Sequence, residues 1–144
     1  LHDALPILFK IKNIIRYIII KNEDYNYGEL DEIYKTSDII VLCCPLTDET
    51  RHLFNEKRFE KMKDGAVLVN IARGAIVEEE SLIDALDGKL FGVVLDVFEE
   101  EPLDTDSELW GKENVILTPH NSFVGENDGK RLYRSIKEHI EQVN

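Results

Sequence analysis

Residues 66–98, AVLVNIARGAIVEEESLIDALDGKLFGVVLDVF, read as strand, helix, strand. The run AVLVNIA (66–72) is short, apolar and β-branched. A helical pattern over 78–86 follows, with Leu82, Ile83 and Leu86 as its apolar stripe. Gly88 closes that helix, and FGVVLDVF (91–98) is the next strand. Two strands joined by a crossover helix run parallel, so their carboxyl ends share one edge of the sheet. Open α/β sheets bind ligands at that edge. Arg73 stands just past the first strand and Glu101 past the second; His120 stands past a further short strand, VILT (115–118). A guanidinium, a carboxylate and an imidazole on one edge suit proton and hydride chemistry on a small anionic substrate.

Outward from this unit, strand and helix keep alternating, which predicts an α/β parallel sheet. Residues 11–20 are strand-like, with 14–20 (IIRYIII) as a buried strand; 22–28 are turn-rich. A short helix is expected over 29–36 with Leu30 and Ile33 inward. Asp38 precedes a buried strand at 39–44, which Pro45 stops. Asn55 is expected to cap a helix running to about Lys63, with Phe59 and Met62 on its apolar face and Gly65 as terminator. Residues 99–114 form an acidic loop with one helical turn near 108–110. Residues 127–143 form a last helix, with Leu132, Ile136, Ile140 and Val143 at helical spacing.

The chain has 144 residues, 17 basic and 29 acidic side chains, and a formal charge of -12. That balance argues against nucleic acid and anionic membranes as partners. No apolar stretch is long enough to span a membrane as a helix. Cys43 and Cys44 are adjacent in a strand and point to opposite faces, so no disulfide is expected between them. They read as small buried residues of a reducing compartment, and a cytoplasmic location is expected. The run Glu78, Glu79, Glu80 complements a helix dipole rather than a metal, and no metal site is expected.

Residues 1–7 (LHDALPI) match CTA CAC GAC GCT CTT CCG ATC, the end of a common sequencing-library adapter. They are expected to be a translated artefact, the alternative being a natural loop carrying His2 and Asp3. The artefact reading implies that the chain is the tail of a longer protein.

Taken singly, each candidate has a plainer reading: Arg73 a turn residue, His120 a surface loop residue, Glu101 a solvated charge. Asp96 could be a structural cap or a receiver-type phospho-acceptor. The receiver pattern needs a lysine after the last strand, where Thr118-Pro119-His120 stand. Four ordered motifs decide the joint reading. They are Cys44-Pro45-Leu46-Thr47-x-x-Thr50-Arg51 with Leu53-Phe54-Asn55; Val69-Asn70-Ile71-Ala72-Arg73-Gly74; Leu95-Asp96-Val97-Phe98-x-x-Glu101-Pro102; and Thr118-Pro119-His120. Together they resemble the NAD-binding domain of the D-isomer-specific 2-hydroxyacid dehydrogenases, which include phosphoglycerate, D-lactate and glycerate dehydrogenases.

The resemblance covers about residues 38–120 and implies a partial Rossmann-like, doubly wound parallel sheet without its first strand and glycine-rich loop. Residues 8–126 would be the partial NAD-binding domain and 127–144 a carboxyl-terminal helix. It implies that Arg73 grips the substrate carboxylate, His120 exchanges a proton, and Glu101 orients His120. Asp96 matches a residue near the nicotinamide. Cys44, Pro45, Ile71, Ala72, Arg73 and His120 match positions along the dinucleotide. The implied cofactor is NAD, with NADP left open, and the implied substrate is a small 2-hydroxy or 2-oxo acid. A homodimer is expected at full length, and inactivity for the chain alone.

The chain departs from the family pattern in several places. It has no Gly-x-Gly-x-x-Gly, and Ile18 stands where an acidic ribose partner is expected, with Glu23 or Asp24 as substitutes. The family's substrate domain is expected to lie outside these residues, and Asn121-Ser122-Phe123 follow His120 where small residues are common. Some relatives of this fold are dinucleotide-sensing corepressors that bind protein partners, and retention of Arg73, Glu101 and His120 is compatible with that reading as well.

Overall fold

Among the described residues, four parallel strands form the sheet, in the order of the chain: β1 (Ile39–Leu42), β2 (Ala66–Asn70), β3 (Leu90–Leu95) and β4 (Val115–Leu117). The computed structural model describes residues 29–121, 125, 130, 133 and 134. The expected adapter segment 1–7, the strand-like run 11–20, the turn 22–28 and the last helix at 127–143 lie outside the described residues, apart from Lys130, Tyr133 and Arg134 of that helix. The helices are α1 (Leu30–Thr36), α2 (Glu56–Lys61) and α3 (Glu79–Leu86). Helix α2 connects β1 to β2 and α3 connects β2 to β3, as parallel pairing requires. Short 3₁₀ turns occupy Gly74–Ile76 and Glu108–Gly111. A parallel sheet flanked by its crossover helices is the Rossmann-like α/β arrangement.

One face of the sheet is packed. The register row Ile40, Leu68, Val93 and the row Leu42, Asn70, Leu95 bring buried side chains into a core with Tyr34, Phe54, Phe59, Met62 and Leu82. Phe54 meets Tyr34 edge-on, with ring centroids 5.4 Å apart. The alternate row, Val41, Val69, Val94 and Ile116, points to the other face, where Val41 is 51% and Ile116 61% exposed. At the carboxyl end, the last paired residues Leu42, Asn70, Leu95 and Leu117 stand in a single row.

Several expected boundaries move, each for a physical reason. Pairing of β1 stops at Leu42, so Cys43 and Cys44 run beyond the sheet. Cys43 is exposed and Cys44 half-buried, which corrects their reading as buried residues. The strand expected over 66–72 stops at Asn70, whose side chain closes the following turn. The strand expected over 91–98 is Leu90–Leu95. Helix α2 ends at Lys61, because the Lys63 N–H donates to the Tyr34 carbonyl (2.8 Å) and draws the chain off the helix. Gly65, with φ +76°, serves the turn into β2 instead. Asn55 holds the N-cap position of α2 without accepting a capping bond. Its Nδ2 donates to the His52 carbonyl (3.0 Å), which the left-handed backbone at His52 (φ 48°) presents to it.

Candidate active site

Every candidate residue lies at or beyond the carboxyl row of the sheet. Past β1 and β2, the residues Cys43, Cys44, Pro45, Leu46, Ile71, Ala72 and Arg73 line a cleft of about 590 Å³. That volume falls in the range of small-molecule and cofactor sites. Buried Asn70 holds the turn that carries two of these residues: Oδ1 accepts from the Ala72 N–H (3.1 Å) and Nδ2 donates to the Arg73 carbonyl (3.0 Å). Arg73 itself is exposed, and its Nη1 donates to the Ala72 carbonyl at 2.6 Å. A guanidinium has five N–H donors, so this bond leaves it able to take a carboxylate. Burial pushes the Cys44 thiol above its ordinary value.

Gly74 follows Arg73 because the chain passes close by. A Cβ there would overlap the Phe98 carbonyl and crowd the Glu99 nitrogen. The Arg73-Gly74 turn and the loop after β3 therefore pack backbone to backbone.

Past β3 and β4 the ionisable pair forms. His120 Nδ1 lies 2.7 Å from Glu101 Oε2, and Glu101 Oε1 accepts from the Phe98 N–H (3.1 Å). These contacts, the bond from His120 first, hold the Glu101 carboxyl below its ordinary value. The backbone at His120 is left-handed (φ 50°), uncommon for a side chain without glycine's freedom. Asp96 is 1% exposed and lies under this turn. Its Oδ1 accepts from the Thr118 hydroxyl (2.6 Å) and from the Asn121 N–H (2.9 Å). The arrangement can exchange a proton through an imidazole whose other nitrogen a carboxylate steadies.

The cleft thus joins Cys44, Pro45, Ile71, Ala72 and Arg73. His120 and Glu101 join each other one and two strands further along the edge, with Asp96 buried beneath His120. The cleft wall is of mixed polarity and carries a single guanidinium, that of Arg73. Sequence reasoning left Asn70, His52 and Glu99 without a role. A buried asparagine at a strand end was the one available signal for Asn70; no local signal marked the other two. Among the described residues, no group of three or more His, Cys, Asp or Glu could hold a metal ion, and no helix is long and apolar enough to cross a membrane.

Residues 11–122 match the model of the D-isomer specific 2-hydroxyacid dehydrogenase family, NAD binding domain. The chain belongs to this family. Among its relatives in the D-2-hydroxyacid dehydrogenase family, the hydroxypyruvate reductase of Blautia hydrogenotrophica is 43% identical over 114 residues, covering 78% of the chain and 35% of the relative. The D-lactate dehydrogenase of Aquifex aeolicus, solved with NAD and lactic acid, is 36% identical with a TM-score of 0.74, covering 88% of the chain and 44% of that structure. A D-isomer specific 2-hydroxyacid dehydrogenase of Xanthobacter autotrophicus, solved with NADPH, is 46% identical with a TM-score of 0.62, covering 63% of the chain and 30% of that structure. The chain therefore spans between 30% and 44% of the length of these three proteins. Both cofactor forms occur among them.

Proposed function

We propose that this chain is the carboxyl-terminal part of a dehydrogenase that interconverts a D-2-hydroxy acid and its 2-oxo acid with NAD, or with NADP in its place. The observation that carries the reading is the 2.7 Å contact between His120 and Glu101, at the ligand-binding edge of a dehydrogenase-family sheet. Cys44, Pro45, Ile71 and Ala72 would hold the nicotinamide end of the dinucleotide by packing and main chain. When bound, the nicotinamide supplies or takes up the hydride at the substrate's second carbon. Arg73 pairs the substrate carboxylate and polarises the adjacent carbonyl, a task its planar fork performs better than a lysine would. With Nδ1 committed to Glu101, proton exchange with the substrate oxygen falls to Nε2 of His120. Glu101 stabilises the protonated ring and fixes its orientation. Asp96, buried beside this pair, sets the level of the His120 loop near the nicotinamide.

The names of the relatives favour hydroxypyruvate or glyoxylate as the oxo acid. The 144 residues alone are inactive in this reading, since they carry no Gly-x-Gly-x-x-Gly to seat the pyrophosphate. The full-length protein is a cytoplasmic homodimer in this reading.

The test is turnover of hydroxypyruvate and glyoxylate with NADH and NADPH by the full-length protein. His120→Ala should lower kcat by roughly 10²–10⁴, the usual worth of a positioned acid/base, with a smaller change in KM. The isolated chain should consume no reduced cofactor. Unchanged turnover in His120→Ala would overturn the assignment.

A further inference from the structure

A second imidazole–carboxylate pair stands behind the first. His52 Nε2 lies 2.5 Å from Glu99 Oε1, two residues before Glu101. Glu99 Oε2 faces the Glu79 N–H at 3.5 Å. Glu99 and Glu101 therefore divide their oxygens alike: one faces an imidazole, the other a backbone N–H. Among the described residues, His52 and His120 are also the two non-glycine positions with left-handed backbone, at φ 48° and 50°.

His52 is anchored by both backbone polar groups and by one ring nitrogen. Its N–H donates to the Ala75 carbonyl (2.8 Å), its carbonyl accepts from Asn55, and its ring holds Glu99. The segment continues into a parallel bridge between Phe54 and Val77. The loop 98–101 is thus fixed at both ends. At one end, Gly74 admits its backbone and His52 grips Glu99; at the other, Glu101 turns toward His120.

We infer that His52, acting through Glu99, is a positioning residue for the His120–Glu101 pair. The turn Phe98–Glu101 is short, so displacement of Glu99 passes directly to the Glu101 carboxylate. Without the grip of His52, Glu99 is left against the Glu79 carboxylate, the two repelling each other. The inference rests on the acid/base role proposed for His120.

Two substitutions separate the ring contact from the backbone turn. Asparagine tolerates left-handed backbone but is too short to place a donor where Nε2 lies. Glutamine reaches that point but suits the turn less well. In full-length protein, His52→Asn should lower kcat about tenfold with little change in KM, short of the 10²-fold that a full ångström of misplacement costs. The Glu101 carboxyl, followed by ¹³C NMR in glutamate-labelled protein, should then titrate closer to the ordinary 4.5. His52→Gln should restore both readouts toward wild type. Wild-type values for both readouts in His52→Asn would overturn the inference, as would equal impairment by the two variants. Loss of the folded state in His52→Asn, read by its melting curve, would assign the pair to stability and overturn it as well. The titration is read without turnover, so failure of the His120 assignment leaves this measurement standing on its own.

Discussion

The two histidine–glutamate pairs share a geometry and differ in place. His120–Glu101 stands directly past β3 and β4, on the edge where a parallel sheet receives ligands. His52–Glu99 stands behind the Arg73-Gly74 turn, with both backbone polar groups of its histidine tied to neighbouring loops. A short imidazole–carboxylate contact therefore does not by itself mark an acid/base centre. In the proposed reading, position relative to the strand ends does: the pair at the edge exchanges the proton, and the pair behind the Arg73-Gly74 turn holds a loop.

Gly74→Ala is the harshest way to break the comparison, because it strikes the loop both pairs share. The added methyl meets the backbone at Phe98 and Glu99, which cannot rotate away as a side chain can. We expect about 3 kcal/mol of destabilisation by urea unfolding, the upper end for overpacking, and loss of both histidine contacts together in NMR spectra.

Asp96→Ala should separate the pairs. It leaves the Thr118 hydroxyl and the Asn121 N–H without this acceptor in a part-buried setting, at the lower end of about 1–3 kcal/mol. The left-handed turn at His120 should loosen while the His52–Glu99 contact persists. Ring resonances of the two histidines, compared between variant and parent, check this.

Acid offers the gentlest separation. The folded Glu101 carboxyl titrates below its ordinary value of 4.5. Its contribution to stability is therefore complete above the unfolded value, begins to fall below it, and is gone once pH drops beneath the lowered folded value. The group is largely exposed, so the change in melting temperature should be small. The direct check is the His120 ring: its Nδ1 contact should persist at pH 5 and be released on further acidification.

How much of this could be read in the residues follows from where the information lies. The strands at 39–42, 66–70, 90–95 and 115–117 were legible because each lies in a short apolar run. Their ends were less so, since an end is set by the partner: nothing within Cys43-Cys44 says that pairing has already stopped at Leu42. The placement of Arg73, Glu101 and His120 past strand ends along one sheet edge was legible through ordered motifs. Glu99 was not, because three glutamates stand together at 99–101, and only contacts with distant residues distinguish them. His52 and Asn55 were opaque for the same reason: a left-handed turn at a histidine leaves no mark in composition, and it redirects the Asn55 amide away from its expected cap.

The row Leu42, Asn70, Leu95 and Leu117 carries one more consequence. It ends the sheet flush, so every functional loop is measured from a common baseline. An insertion before that row would turn the rest of its strand over, exchanging packed for solvent-facing side chains. An insertion after it lengthens one loop and leaves the neighbours level. Such a scaffold lets the chemistry of each strand end be edited separately. The loops that touch each other, at Gly74 and Phe98, are the exception: there, two edits must be made as one.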